Sequence, residues 1–506
     1  MDEQEYGKHA NKVMDAYEGW FEKPEQEILR IMGLFDRPAP IDAVEDLKNG
    51  TEIEGLTTEI KGLSDYRWKI ALKNLRKARL LDKEDEHNLD ELDCHPLVRE
   101  HFGEKLKARN PKAWKEAHSR LYEWYKSIAK LSPDTIEEMA PLYSAVSHGC
   151  QAGRWREAYD KVYRQRIRRG NEYFSMRKLG AFGAELSVLS GFFEVSWSKP
   201  IGELREDSKA SIMNAAGFCL RALGRLSESA QPIQAGLEID KTRKDWESAA
   251  RETDNLSELY LTIGDVTKAL DYAEQSVKLA DQSGDADRRM ASRTKLADAL
   301  KQIGRQKEAE DTFKTAEDMQ KKTYPKDAYL MSLRGFNYCD LLLGQGKYEE
   351  VLNRASQTLE FEKEGYPLLD IALDRLSLGR AYMLKAQEDG DFPKAFEHLN
   401  QAVNGLRQAG DQTYIPRGLL ARASLRRIQK EFDRAKHDVD EAFGIASRGG
   451  MGLYLADCHL EYARLYFDMG EEKAKEHLAT AKEMIDHTGY HRRDKEIQEL
   501  ERKIED

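Results

Sequence analysis

Several large classes of protein are excluded by what this sequence lacks. Its five cysteines (Cys94, Cys150, Cys219, Cys339 and Cys458) lie far apart and form no CxxC pair. That spacing suits neither a disulfide framework nor a zinc site, and points to a reducing, cytoplasmic setting. No apolar run approaches the roughly 18 residues that suggest a membrane span, and the opening MDEQEYGKHANK has no apolar signal core. The phosphate-cradling GxxxxGK[ST] is absent. Its nearest approach, GQGKY at Gly344–Tyr348, lacks the upstream glycine and the hydroxyl residue. HExxH, GxSxG and paired metal-ligand patterns are also missing. Cys94-His95, Cys458-His459 and His148-Gly149-Cys150 are neighbours in sequence, but residues one or two apart on a helix diverge by roughly 100° or more. No catalytic constellation remains, so a non-enzyme with no cofactor and no metal is expected.

Charge narrows the partners further. The net charge is −11, which disfavours non-specific nucleic-acid binding by the whole chain. The 34% of charged residues imply a large solvated surface, and the 40% of hydrophobic ones still suffice for a core. With only 13 prolines and abundant Ala, Leu, Glu, Lys and Arg, the expected fold class is all-α. At 506 residues the chain exceeds one ordinary core and suits several units or an extended array.

A repeat supplies the array. GRLSESA at Gly224, GDVTKAL at Gly264, GRQKEAE at Gly304, GKYEEVL at Gly346, GDFPKAF at Gly390 and GEEKAKE at Gly470 share one pattern. A helix ends in a glycine turn, and an Ala or its substitute follows near the fifth position. KEFDRAK at Lys430 occupies the same place without the glycine, and successive spacings are 40, 40, 42, 44, 40 and 40 residues. Glycine there lets the backbone take positive φ without a Cβ penalty. Around Gly304, Leu296, Ala297, Leu300, Ala309, Phe313 and Ala316 alternate small and large on one helix face. Measured from the turn, these positions resemble the tetratricopeptide repeat (TPR). The resemblance runs from about 205 to 490, with a period longer than the usual ~34 residues. It implies an α-solenoid superhelix of antiparallel helix pairs that binds protein or peptide ligands.

The first hundred residues lack the repeat. Glu25–Phe35, Ile41–Leu47 and Trp68–Arg79 read as three helices. LLDKEDEHNLDELDCHPLVREHF reads as a β-hairpin that re-enters a helix at Pro96. That order is a winged helix. Its third helix and approach carry Arg67, Lys69, Lys73, Arg76, Lys77 and Arg79, suitable for phosphate contacts. The wing over 82–93, however, holds seven acids and one lysine, which a phosphate backbone would repel.

ILRIMGLFDRPAP and LDCHPLVREHF resemble the winged-helix module of STAND-type (NACHT/NB-ARC-like) signal-transduction ATPases, whose order is NTPase, winged helix, repeat sensor. The resemblance implies a nucleotide-sensing role for His95 if an NTPase is supplied, although Pro96 stands where that family's motif has Asp. Lacking its own phosphate loop, the chain should not hydrolyse nucleotide by itself.

Four segments are therefore expected: a winged-helix domain with a short β-hairpin (1–108), an irregular helical or degenerate TPR-like region (109–204), the long-period array (205–490) and a C-terminal helix (491–506). Pro200 within WSKPIGEL marks the clearest break, and HGCQAGRWREAYDKV with Gly153 and Ala158 is a weaker copy of the repeat.

Two surfaces are candidates for binding. The run 154–178 carries nine Lys/Arg against three acids, with Arg164, Arg166, Arg168 and Arg169 as a contact patch. Its plainer reading is a charged helix face paired within the chain. In the array, inward positions counted from the turns include Asn214, Arg221, Arg251 and Asn255. Further along they include Glu258, Lys295, Asp298, Lys301, Asn337 and Asp340, then Arg380, Arg417, Arg427 and Arg464. The TPR resemblance implies that Asn255 and Asn337 fall at the position where an amide clamps a ligand backbone, although the repeat between them has Lys295 there. The expected function is a non-catalytic sensor or regulatory scaffold in bacterial signalling or antiviral defence. Its ligand would be a folded protein or an extended acidic segment, with a separate NTPase or effector as a further partner. The alternative is a winged-helix DNA-binding regulator controlled by its TPR domain.

Overall fold

The computed structural model describes residues 14–15, 18–84, 90–327, 329–361 and 366–505. The opening segment, wing residues 85–89 and Asp506 at the end of the expected last helix lie outside them. The chain divides into two compact units, 1–170 and 171–506, so the irregular stretch 109–204 is shared between them. Among the described residues no helix is long and apolar enough to cross a membrane.

In the first unit, helices Lys23–Met32, Ile41–Asn49, Asp65–Lys77 and Pro96–Arg109 enclose a core that includes Ile28, Leu47, Leu75 and Phe102. Helices Lys23–Met32 and Pro96–Arg109 meet near paired glycines. A Cβ added to Gly33 would lie 2.3 Å from the Gly103 nitrogen, so only glycine permits this approach. Strand Glu91–Leu92 finds its partner in Ala39–Pro40, and the Asp82 amide donates to the Asp93 carbonyl at 2.8 Å. Helices Pro111–Ile128 and Ile136–Gln151 follow. The chain then passes through Gly153, whose φ is 79°, into the π-helix Ala158–Ile167.

The second unit opens with short helices and a small hairpin, in which Phe193–Val195 pairs antiparallel with Lys199–Pro200. Among the described residues seven helix pairs then follow, from Glu206–Ala222 with Leu226–Arg243 to Gly452–Asp468 with Lys473–Thr488, closed by helix Asp494–Glu505. This is an all-α, TPR-like solenoid. Every turn glycine of the repeat takes positive φ, and Lys430 takes the same conformation at 62°. Small residues set the spacing within a pair: a Cβ on Gly379 would lie 2.7 Å from Leu399 Cγ.

The array winds far enough for its early turns to rest on late ones. The Ala222 carbonyl accepts from the Gln412 amide at 2.7 Å. Gly452 Cα stands 3.3 Å from where a Cβ on Gly264 would sit, and His491 Cβ 3.2 Å from the same point on Gly304. Concave positions are therefore faced by residues more than a hundred positions away.

Candidate functional site

Two cavities open along the inner wall of the second unit. The larger, of ≈ 990 Å³, is lined by Lys295, Asp298, Asp340, Arg380, Arg417 and the C-terminal stretch around Arg492. The smaller, of ≈ 490 Å³, is lined by Asn214, Arg221, Arg251, Asn255 and residues of helix Ser332–Gly344. Glu258, Lys295 and Asn337 border both.

Most of the charged inward side chains are paired with one another. Glu258 receives Arg221 Nη1 at 2.7 Å, Lys295 Nζ at 2.5 Å and the Tyr414 hydroxyl from the far side of the turn. Burial would raise the Glu258 carboxyl, but Arg221 and Lys295 hold it well below the usual carboxylate range. Asp340 is the second centre. It accepts from Lys301 at 2.5 Å and Arg380 at 2.6 Å, while Arg492 forks across both of its oxygens. Burial works against its ionisation too, and is outweighed by Arg492, Lys301 and Arg380. Asp298 pairs with Lys301 at 3.0 Å, and Arg417 donates to the Tyr454 hydroxyl at 2.5 Å. Arg427 and Arg464 both reach Glu461.

The asparagines are less fully occupied. Asn255 Nδ2 donates to Asn214 Oδ1 at 3.0 Å, so these two amides form a rung between adjacent repeats. Asn337 is 2% exposed, and its Oδ1 has no hydrogen-bond partner. Arg251 donates to the Tyr173 hydroxyl at 3.1 Å and pairs with Glu247 at 2.8 Å.

The candidates of the first unit have local duties. His95 is the N-cap of helix Pro96–Arg109, and its Nδ1 accepts from the Leu97 amide at 3.2 Å. Arg166 donates to the Lys126, Ala129 and Lys130 carbonyls at the end of helix Pro111–Ile128. Arg168 donates to the Gly170 carbonyl at 2.7 Å, and Arg169 reaches the Pro133 carbonyl and pairs with Asp134. Arg164 is exposed. Among the described residues no group of three or more His, Cys, Asp or Glu is placed to hold a metal ion.

Register counting did not find Arg492, Tyr414, Tyr173 or Arg334. Arg492 lies past the array, Tyr173 ahead of it and Tyr414 in a connecting turn. Arg334 lies one helical turn before Asn337, which was the only available signal for it.

Residues 248–322 match the family model of the tetratricopeptide repeat. No curated protein matches the sequence. Among solved structures, the chain is similar to the Signal Transduction ATPase with Numerous Domains (STAND) protein with a tetratricopeptide repeat sensor from Pyrococcus horikoshii. That match has 14% identity and a TM-score of 0.40, and covers 93% of this chain and 64% of that one. The chain thus spans under two thirds of that protein's length. It is also similar to aspartyl phosphate phosphatase F from Bacillus subtilis, at 12% identity and a TM-score of 0.40, covering 89% of this chain and 97% of that one. The Cut9-Hcn1 hetero-tetramer of APC/C matches at 13% identity and a TM-score of 0.42, covering 87% and 80%.

Proposed function

We propose that the second unit is a protein-binding sensor that takes an extended segment of its partner into the ≈ 490 Å³ cavity. The observation that carries this reading is the amide wall of Asn214, Asn255 and Asn337, whose last member keeps a buried, unpaired Oδ1. An extended peptide exposes a backbone donor and acceptor at each residue, the groups a carboxamide can meet from both its ends. The larger cavity is less suited to such a ligand, because Asp298, Asp340, Arg380 and Arg417 are already engaged by neighbours in this chain.

In this reading the first unit couples the sensor to a separate NTPase or effector, as a STAND-like winged-helix module would, in a signalling or defence setting. Selection of random extended peptides on the full chain tests the binding role. Peptides retained by the wild type should be lost from Asn255→Ala and Asn337→Ala variants that unfold at normal temperatures. Retention unchanged in both variants would remove the cavity from consideration.

A further inference from the structure

Across the last helix pair, Gly452–Asp468 with Lys473–Thr488, two imidazoles face each other. His459 Nδ1 lies 3.0 Å from His477 Nδ1, and no ligand motif marks the 18 residues between them. Two N–H groups cannot point at one another over that distance, so one ring donates and the other accepts. Both residues are half-buried and keep contact with solvent. Neither Nε2 is a buried atom lacking a partner, so the hydrogen of the donating ring can sit on either of its nitrogens.

Aromatic neighbours hold both rings in place. Tyr462 and Tyr466 stack on His477 with ring centres 4.8 Å and 5.4 Å away, and Phe443 meets His459 edge-on at 5.6 Å. The Tyr462 hydroxyl is fixed in turn by donating to Asp440 at 2.6 Å. A second pair, His118 and His148, makes the same Nδ1 contact at 2.8 Å but is only 2% and 6% exposed, enclosed by Phe35, Trp114 and Tyr125. An ion that keeps water in its shell has no room there. The His459–His477 pair has no such lid.

From this geometry we infer that His459 and His477 form a site for a nitrogen-preferring divalent transition-metal ion, Cu²⁺ above all, with Ni²⁺ and Zn²⁺ bound more weakly. The site is independent of the peptide reading above. Two nitrogens 3.0 Å apart subtend about 95° at an ion bonded to each at ~2.05 Å. That is close to the cis angle of tetragonal Cu²⁺ or Ni²⁺, whereas tetrahedral Zn²⁺ needs the nitrogens roughly 0.3–0.4 Å further apart. Binding moves the shared hydrogen from Nδ1 to Nε2 of its own ring, so both imidazoles stay neutral and no proton is released. Among the described residues no third His, Cys, Asp or Glu joins the pair, so water or an added ligand fills the remaining positions. The site is open, unlike a closed four-ligand structural one.

Titration of the full chain with Cu²⁺, read by electron paramagnetic resonance, tests the assignment. At one equivalent the wild type should show a single ion coupled to two imidazole nitrogens. His459→Gln and His477→Gln should each weaken binding at least about tenfold and leave coupling to one nitrogen. His477→Phe keeps a ring for Tyr462 and Tyr466 to stack on, and should lose binding equally while its metal-free melting curve confirms the fold. His437→Gln, at an exposed position on helix Phe432–Gly449, should leave the site unchanged. Ni²⁺ should raise the thermal midpoint of the wild type but not of His459→Gln, because the ion bridges two helices of the native state. Excess Mg²⁺ should displace nothing, since it prefers oxygen ligands. Coupling to one nitrogen in the wild type would overturn the site. So would Cu²⁺ affinity unmoved in His459→Gln and His477→Gln alike, which would leave only scattered binding to single histidines.

Discussion

Arg492 lies beyond the last helix pair, yet its guanidinium grips Asp340, 152 residues earlier, with Nη2 donating to Oδ1 at 3.0 Å and Nη1 2.9 Å from Oδ2. Lys301 and Arg380 complete the shell around that carboxylate, and Lys301 is only 1% exposed. The C-terminal turn is therefore tied to the inner wall by charge as well as by the apolar contacts of Tyr490, Ile497 and Leu500. Arg492→Ala should destabilise the second unit by about 1–3 kcal/mol, since two cations still serve Asp340. Asp340→Asn should cost more, about 3–5 kcal/mol, because it strips a carboxylate from buried Lys301. Urea unfolding of both single variants and the double variant measures the coupling.

Charge reversal at the inward positions is the wrong probe of ligand binding. Lys295→Glu would set a second carboxylate beside Glu258, which Lys295 now meets at 2.5 Å. A loss of about 2–4 kcal/mol in stability is expected, whatever the ligand. Thermal unfolding of Lys295→Glu beside Asn255→Ala, which should lose under about 1.5 kcal/mol, separates the two effects.

In the first unit, His118 and His148 face each other Nδ1 to Nδ1 at 2.8 Å within an aromatic shell. Burial lowers both, and holds His148 down at about 4. The unfolded chain takes up these protons near pH 6.5, well above the folded value, so it binds more protons across that interval. Stability of this unit should thus be full above pH 6.5 and fall by about 2–3 kcal/mol as the pH drops toward 4. Denaturant midpoints against pH, for the wild type and for His148→Gln with its flatter profile, give the comparison.

Between helices Leu226–Arg243 and Trp246–Ile263, Asp240 and Glu252 are two buried carboxyls that act on one another electrostatically. Burial and Asp240 push the Glu252 carboxyl well up, and burial with Asp245 raises Asp240 to about 6. Both folded values exceed the unfolded ones. Their contribution is complete below about pH 4 and is lost as the pH rises through the folded values. Glu252→Gln keeps a hydrogen-bonding side chain without the charge, and should be about 1–2 kcal/mol more stable than wild type at pH 8. Parity of the two at pH 8 would show that the pair ionises without penalty.

Lys430 takes φ of 62° where its sister repeats have glycine. Lys430→Gly should relieve about 1 kcal/mol of left-handed strain, less some gain in unfolded-chain entropy, for a net stabilisation of about 0.5 kcal/mol. A small upward shift of the calorimetric midpoint of the second unit would register it.

Local physics made the array legible in the sequence. A positive-φ turn every forty or so residues demands glycine, and small residues mark where helices approach, so Gly224 to Gly470, Ala309 and Ala316 could be placed by counting. His95 stood recognisably at a helix start, and its capping bond is likewise a local matter. The contents of the inner wall were decided only by the tertiary structure. Asn214, Arg221, Glu258 and Asp340 could be assigned to that wall by register. Whether each would be free or paired depended on how far the solenoid winds, and that winding accumulates from small rotations between repeats which no single repeat encodes. It brings Tyr414 to Glu258 and Arg492 to Asp340, and it leaves Arg334 Nη1 and the Asn337 oxygen without a hydrogen-bond partner.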